Sequence, residues 1–172
     1  MKFIRTRARG LLWPAFILAM LIAAGSVSFT ITPKGDMPEP EAEAFWKYIS
    51  SENPYTEWSH WPGFEEMYEG QSPHGAYLKL YVNKNAETAI QDGKKMMPEH
   101  AIIVKENYNK DKELVAITPM YKVEGYNPDA GNWFWAKYGT DGKVMAAGKV
   151  TSCIECHKKA MQDDYLFTTS KD

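Results

Sequence analysis

Cys153-Ile154-Glu155-Cys156-His157, close to the end of the 172-residue chain, carries the only two cysteines in the sequence. A Cys-x-x-Cys-His run is the attachment signature of c-type haem. Two thiols one helical turn apart can each add across a haem vinyl group. His157, next in line, is then presented to the iron as an imidazole ligand. Both cysteines are accounted for, and no thiol is left for another task. Two other readings of the same residues stay open at this point. Cys153 and Cys156 can close a redox disulfide, although the βαβ pattern that usually carries one is not visible here. A structural zinc site needs four ligands, so the triplet would have to recruit a distant His60, His74 or His100.

Upstream of the motif the chain reads as strands. Tyr77-Leu78-Lys79-Leu80-Tyr81-Val82 alternates, with Leu78, Leu80 and Val82 on one face. Ala101 to Glu106 is a buried-strand pattern ending in two charges. Parity places Lys105 with Ala101 and Ile103, and Glu106 with Ile102 and Val104. Either the strand runs out into solvent at Lys105, or one of the two charges points into protein. Residue type alone favours the first, because lysines are rarely buried. Leu114 to Val123 and Asn132 to Tyr138 are further strands, the second aromatic on both faces. Thr140-Asp141-Gly142 is a tight turn, and Lys143 to Ala147 pairs back as a hairpin. The fold class expected is α+β, mainly an antiparallel sheet with a few short helices, and with the haem motif near the C-terminus.

The helical signals are short. Ala44, Phe45, Tyr48 and Ile49 recur at helical spacing within Glu41 to Ser51, and Pro54 ends that segment. Lys84 to Asp92 reads as a helix closed by Gly93. Trp58 to Phe64 is an aromatic stretch with breakers, expected to pack on the core, with a cofactor-pocket wall as the second reading. His74, inside Pro73-His74-Gly75, is a turn residue that can in principle reach a metal.

The N-terminus has a basic cluster (Lys2, Arg5, Arg7, Arg9), an uncharged apolar run from Leu11 to Ala24, and small residues after it. Residues 1–30 read as a secretory signal peptide or, being long enough to span a bilayer, as an uncleaved membrane anchor. Residues 31–43, rich in Pro, Glu and Ala, read as a linker, and 44–172 as one haem domain. The domain is expected outside the cytoplasm, in the periplasm. Removing the four leader charges takes the formal charge from −2 to about −6, which argues against nucleic acid as a partner.

In order, Tyr81-Val82-Asn83, Ile103-Val104-Lys105-Glu106, Gly131-Asn132-Trp133, the Cys153–His157 motif and Asp164-Tyr165-Leu166-Phe167-Thr168 make the chain resemble the cytochrome P460 family. That family includes the P460 enzymes and the gas-binding β-type cytochromes c′. The resemblance covers roughly residues 55–168. It implies an antiparallel β fold, commonly a homodimer, with one haem c per chain bound covalently through Cys153 and Cys156. His157 is then the proximal iron ligand, the distal side is typically open, and the iron is five-coordinate. In the P460 enzymes a lysine in a Val-Lys-Glu segment is bonded to the haem edge, and Lys105 occupies that place here. The resemblance thus turns Lys105 toward the haem.

The implied activity is binding, and in the enzymes oxidation, of hydroxylamine or nitric oxide. A distal carboxylate is expected for the oxidation, but Val144 to Thr151 contains no acid and Leu78 stands where an arginine can occur. Glu106 has the wrong parity to stand beside Lys105. Three uses remain: an enzyme on hydroxylamine or nitric oxide, a nitric oxide or carbon monoxide binder without turnover, and an electron carrier serving a redox partner protein. In the last, Met145, Met161 or His74 would fill the sixth iron position.

Overall fold

The computed structural model describes residues 37–168. The leader and residues 31–36 of the linker therefore lie outside the described residues. Seven strands form one antiparallel sheet. They are β1 (Ser59–His60), β2 (Tyr68–Glu69), β3 (Tyr77–Val82), β4 (Ile102–Tyr108), β5 (Leu114–Lys122), β6 (Trp133–Tyr138) and β7 (Val144–Gly148). Their order is β1-β3-β4-β5-β6-β7, and β2 also pairs with β3. From β3 onward, sequence neighbours are sheet neighbours. The α+β class expected from the patterning is the one observed.

Both faces of the sheet are covered, which explains why β6 is aromatic on both sides. On one face, Tyr81, Ile102, Val104, Ile117, Tyr121, Phe134 and Tyr138 pack beneath helix α1 (Ala42–Lys47) and the π-helical turn Tyr48–Glu52 that extends it. Phe45 is the wedge: its ring stacks on Tyr121 at 5.2 Å and meets Phe134 edge-on at 5.6 Å. The extension matches the Glu41–Ser51 periodicity, with Glu41 capping the first turn through the amides of Glu43 and Ala44.

The other face carries Leu80, Val82, Ile103, Met120, Trp133 and Trp135. Helix α2 (Lys84–Gln91) covers part of it, and helix α3 (Thr151–His157) packs Cys153 and Ile154 against it. Asn83 joins these parts. Its side chain accepts from Ala86 N at the start of α2 and from Ile102 N on β4, and donates to the His100 carbonyl. One buried amide thus caps a helix and ties it to β4 within the sheet.

Strand β4 does not run out at Lys105. It continues to Tyr108, paired on both sides, with Lys105 opposite Leu80 on β3 and Thr118 on β5. The expectation of a solvated end fails because the following Glu106-Asn107 pair is buried by side chains contributed from elsewhere in the chain. Glu106 accepts from the hydroxyls of Tyr55 (2.9 Å), Tyr81 (3.3 Å) and Tyr108 (2.6 Å) on the α1 face. Three donors satisfy a carboxylate that the pattern alone would place in water.

Candidate haem site

Between α3 and the sheet lies an inner cleft that opens into a wider outer one. Lys105, His74, Cys156, His157 and Phe167 border both. The inner cleft holds about 980 Å³ of space free of protein atoms, counting its open mouth. The sheet supplies Leu80, Ile103, Lys105, Thr118, Met120, Trp135 and Lys137 as its floor. Strand parity selects these residues: each is an alternate position on the α3 face.

Helix α3 supplies the sulfur and imidazole. Cys153 and Cys156 are three residues apart and His157 is four from Cys153, so all three sit along one side of a short helix. Both cysteines are free thiols and both border the inner cleft. Burial pushes the Cys153 thiol up, partly offset by Ser152 and Lys137. His157 is buried, and its Nδ1 lies 2.7 Å from the Tyr165 carbonyl oxygen. A carbonyl can only accept, so Nδ1 carries the proton and Nε2 keeps its lone pair. Burial lowers the His157 pKa; the hydrogen bond to Tyr165 works against that shift, and the charge of Lys105 adds to it.

That carbonyl is held by an unusual turn. Asp164 and Tyr165 both have positive φ, at 56° and 66°. Asp164 is fully buried. One of its carboxylate oxygens binds Lys122 Nζ at 2.5 Å and the other accepts from Met97 N at 2.8 Å. Its own carbonyl accepts from Trp133 Nε1 at 2.9 Å. Tyr165 lies flat enough on Gly131 that a Cβ there would meet its ring at 2.8 Å, and its hydroxyl donates to the Asp129 carbonyl. Gly131-Asn132-Trp133 and Asp164-Tyr165, far apart in sequence, are therefore one structural unit behind His157.

Lys105 points into the cleft and forms no ion pair among the described residues. Burial lowers its pKa to about 8, well below the ordinary lysine value. His74 faces the same space, its Nδ1 2.9 Å from Asn107 Oδ1. Its pKa falls to about 4, first through burial and then through Lys105. The turn that carries His74 lies directly on β4. A Cβ at Gly75 would come within 2.3 Å of the Tyr108 carbonyl oxygen, so only glycine permits this approach.

Of the residues singled out in the sequence, the fold brings Cys153, Cys156, His157, Lys105 and His74 together. It leaves Met145 and Met161 exposed and away from both clefts. His60 and His100 bond elsewhere, to the Leu80 carbonyl and the Tyr121 hydroxyl. Among the described residues no three His, Cys, Asp or Glu side chains form a metal cluster, so the zinc alternative is not assembled. Trp61, expected mainly as core, is both core and cleft wall. Sequence reading missed Lys137, Met120 and Trp135 as cleft residues, although the parity of β5 and β6 relative to Lys105 would have found them. Among the described residues no acid borders the inner cleft. The one carboxylate on the outer cleft is Glu69, exposed on β2.

Two buried indole N–H groups, Trp61 Nε1 and Trp135 Nε1, have no hydrogen-bond partner, and both residues border the inner cleft. Buried donors rarely go unpaired, so this wall is built to meet something besides protein. Two thiols, an imidazole with a free Nε2 and an apolar, aromatic-lined slot fit a c-type haem.

The architecture and its donor set define the class: an α+β protein whose cleft is lined by two thiols, an imidazole and apolar, aromatic side chains. A family model described as Cytochrome P460 matches residues 54–168, most of the chain, and the chain belongs to that family. Membership implies haem as the cofactor. No curated protein matches the chain.

Proposed function

We propose that this is an exported, periplasmic mono-haem c-type cytochrome that binds small nitrogen species such as nitric oxide. Cys153 and Cys156 would hold the haem by thioether bonds, and His157 would offer its Nε2 to the iron. Bound haem supplies an iron that changes oxidation state and accepts small ligands. The chain's own residues do the rest. The Tyr165 carbonyl keeps the proton on His157 Nδ1 and orients the ring. Trp61, Ile103, Met120 and Trp135 exclude water from the slot. Lys105, with its lowered pKa, stands at the floor as an amine able to give or receive a proton.

The observation that carries this reading is the convergence of two free thiols and a neutral, oriented imidazole on one cleft. Among the described residues the inner cleft is lined by no acid, which favours ligand binding over hydroxylamine oxidation, since the oxidation calls for a proton acceptor beside the substrate. Oxidation of hydroxylamine is the second reading, favoured by Lys105 in the place of the cross-linking lysine. A redox partner protein and a homodimer accompany both readings by family analogy.

Exposing the matured ferrous protein to nitric oxide tests the proposal. A stoichiometric, saturable spectral change without hydroxylamine turnover is the expected result. Turnover that disappears in Lys105→Ala would favour the enzyme. A haem that takes up neither ligand would refute both readings.

A further inference from the structure

Two ammonium groups stand on the floor of the inner cleft. Lys105 on β4 and Lys137 on β6 border it, and among the described residues no acid does. Register sets the two in one row. Lys105 lies opposite Thr118 on β5, and the pairings of Ile117 with Tyr138 and of Met120 with Trp135 bracket Thr118 and Lys137. Neighbouring strands are about 4.8 Å apart, so the two lysines leave the backbone about 10 Å apart on one face. The Thr118 hydroxyl is spent inside the sheet: it donates to the Lys105 carbonyl and accepts from Asn107 Nδ2. Both lysine side chains can therefore lean over Thr118 toward a common group.

Neither lysine has a carboxylate partner among the described residues. An ammonium group held in an apolar cleft without a counter-charge is costly. Burial first, and then the charges of Lys105 and Lys137, lower the His74 pKa, although its bond to Asn107 works against them; both lysines thus act on one ring. The neutral groups agree. Among the described residues, the buried side-chain polar atoms left without a partner are Trp61 Nε1 and Trp135 Nε1. Trp135 precedes Lys137 by two residues on the same face of β6. Trp61 N donates to the Leu80 carbonyl, and Leu80 lies opposite Lys105. Each lysine therefore has an unpaired indole N–H as a neighbour. Cations and N–H donors left without acceptors are the surroundings of an oxyanion.

We propose that Lys105 and Lys137 clamp an oxyanion group on the cleft floor, with Trp61 Nε1 and Trp135 Nε1 as the neutral donors beside it. The chemistry recognised is a planar, negatively charged group of acceptor oxygens. It has two sources: the propionate carboxylates of the haem, or a free small anion such as nitrite that enters the same cleft. The inference rests on the haem attachment proposed above and on Lys105 staying a free amine, and it adds an anionic class to the ligands considered there. Charge-assisted hydrogen bonds from two ammonium groups hold such a group more strongly than the same wall holds a neutral diatomic ligand.

The test compares the covalently loaded protein with Lys105→Gln, Lys137→Gln and, as a control, Lys95→Gln on the exposed surface. Two readouts separate the sources. If a free anion fills the subsite, the ratio of nitrite affinity (ferric protein) to carbon monoxide affinity (ferrous protein) falls about tenfold or more in both cleft variants. The propionate bending bands of the resonance Raman spectrum then stay in place. If the propionates fill it, those bands shift in both cleft variants and the affinity ratio stays. Either response supports the clamp, provided Lys95→Gln shows neither. An unchanged ratio with unchanged bands in both cleft variants would overturn it, as would a haem-bearing peptide that includes Lys105. An intact mass without covalent haem would instead overturn the attachment reading. The subsite is then decided in that haem-free chain, where nitrite should slow acylation of Lys105 and Lys137 but not of Lys95; equal rates with and without nitrite would overturn it.

Discussion

Replacing Asp164 by alanine should cost more stability than any other single change near the site. Its carboxylate is fully buried, paired with Lys122 Nζ, and is the acceptor for Met97 N. Removing one partner of a buried ion pair costs about 3–5 kcal/mol, because the other charge is left without compensation. The orphaned Met97 N–H adds about 1–3 kcal/mol, and alanine at a φ of 56° adds about 1 kcal/mol more. These terms share a site and overlap, so we expect a loss of about 5 kcal/mol. For a domain whose whole stability is about 5–15 kcal/mol, that brings the variant close to unfolding. Asp164→Asn keeps an acceptor for Met97 and tolerates positive φ, so it should lose less. Guanidinium denaturation followed by far-ultraviolet circular dichroism measures both, together with Lys122→Met and the double variant Asp164→Asn/Lys122→Met. A coupling energy of about 2 kcal/mol or more between the two positions is expected. A loss below about 1 kcal/mol for Asp164→Ala, or strictly additive single variants, would refute the buried pair as the anchor of the turn behind His157.

Three further outcomes follow from the same geometry. Burial disfavours the charged form of Lys105, so its amine should deprotonate near pH 8. In the Cys153→Ser/Cys156→Ser chain, acylation of Lys105 read by peptide mass should rise through that pH; a midpoint near the ordinary lysine value would contradict the buried position. Gly75→Ala drives a Cβ against the Tyr108 backbone and should destabilise by about 1–3 kcal/mol; it should also detach His74 from Asn107, and a neutral result in thermal melts would show the approach to be looser. Glu106→Leu leaves the hydroxyls of Tyr55, Tyr81 and Tyr108 without their shared acceptor. A loss of about 2–3 kcal/mol in denaturant titrations is expected, with covalent haem content unchanged, because Glu106 faces away from the cleft.

Strand parity was legible because a two-residue period does not depend on distant contacts. It placed Lys105 and Glu106 on opposite faces, and it put Leu80 and Val82 together on the α3 side. The Cys153–His157 motif was legible because its geometry is local to one helix. What escaped the sequence depends on long-range partners. His74 is oriented by Asn107, 33 residues away, and Asp164 is neutralised by Lys122, 42 residues away. No local pattern marks an aspartate in an exposed-looking turn as fully buried. Trp61 was read as core for a sound reason, since tryptophan usually is, but core and cleft wall are the same layer here. The continuation of β4 past Lys105 was hidden because tyrosines from three separate segments supply the donors that make Glu106 buriable.

The central claim is that a haem is bonded to Cys153 and Cys156. Intact mass spectrometry of the protein, matured in a host that attaches c-type haem and then denatured in acid, tests it most directly. The account predicts a chain heavier by one haem that persists through denaturation and is lost in Cys153→Ser/Cys156→Ser. A chain with the mass of its amino acids alone would contradict it.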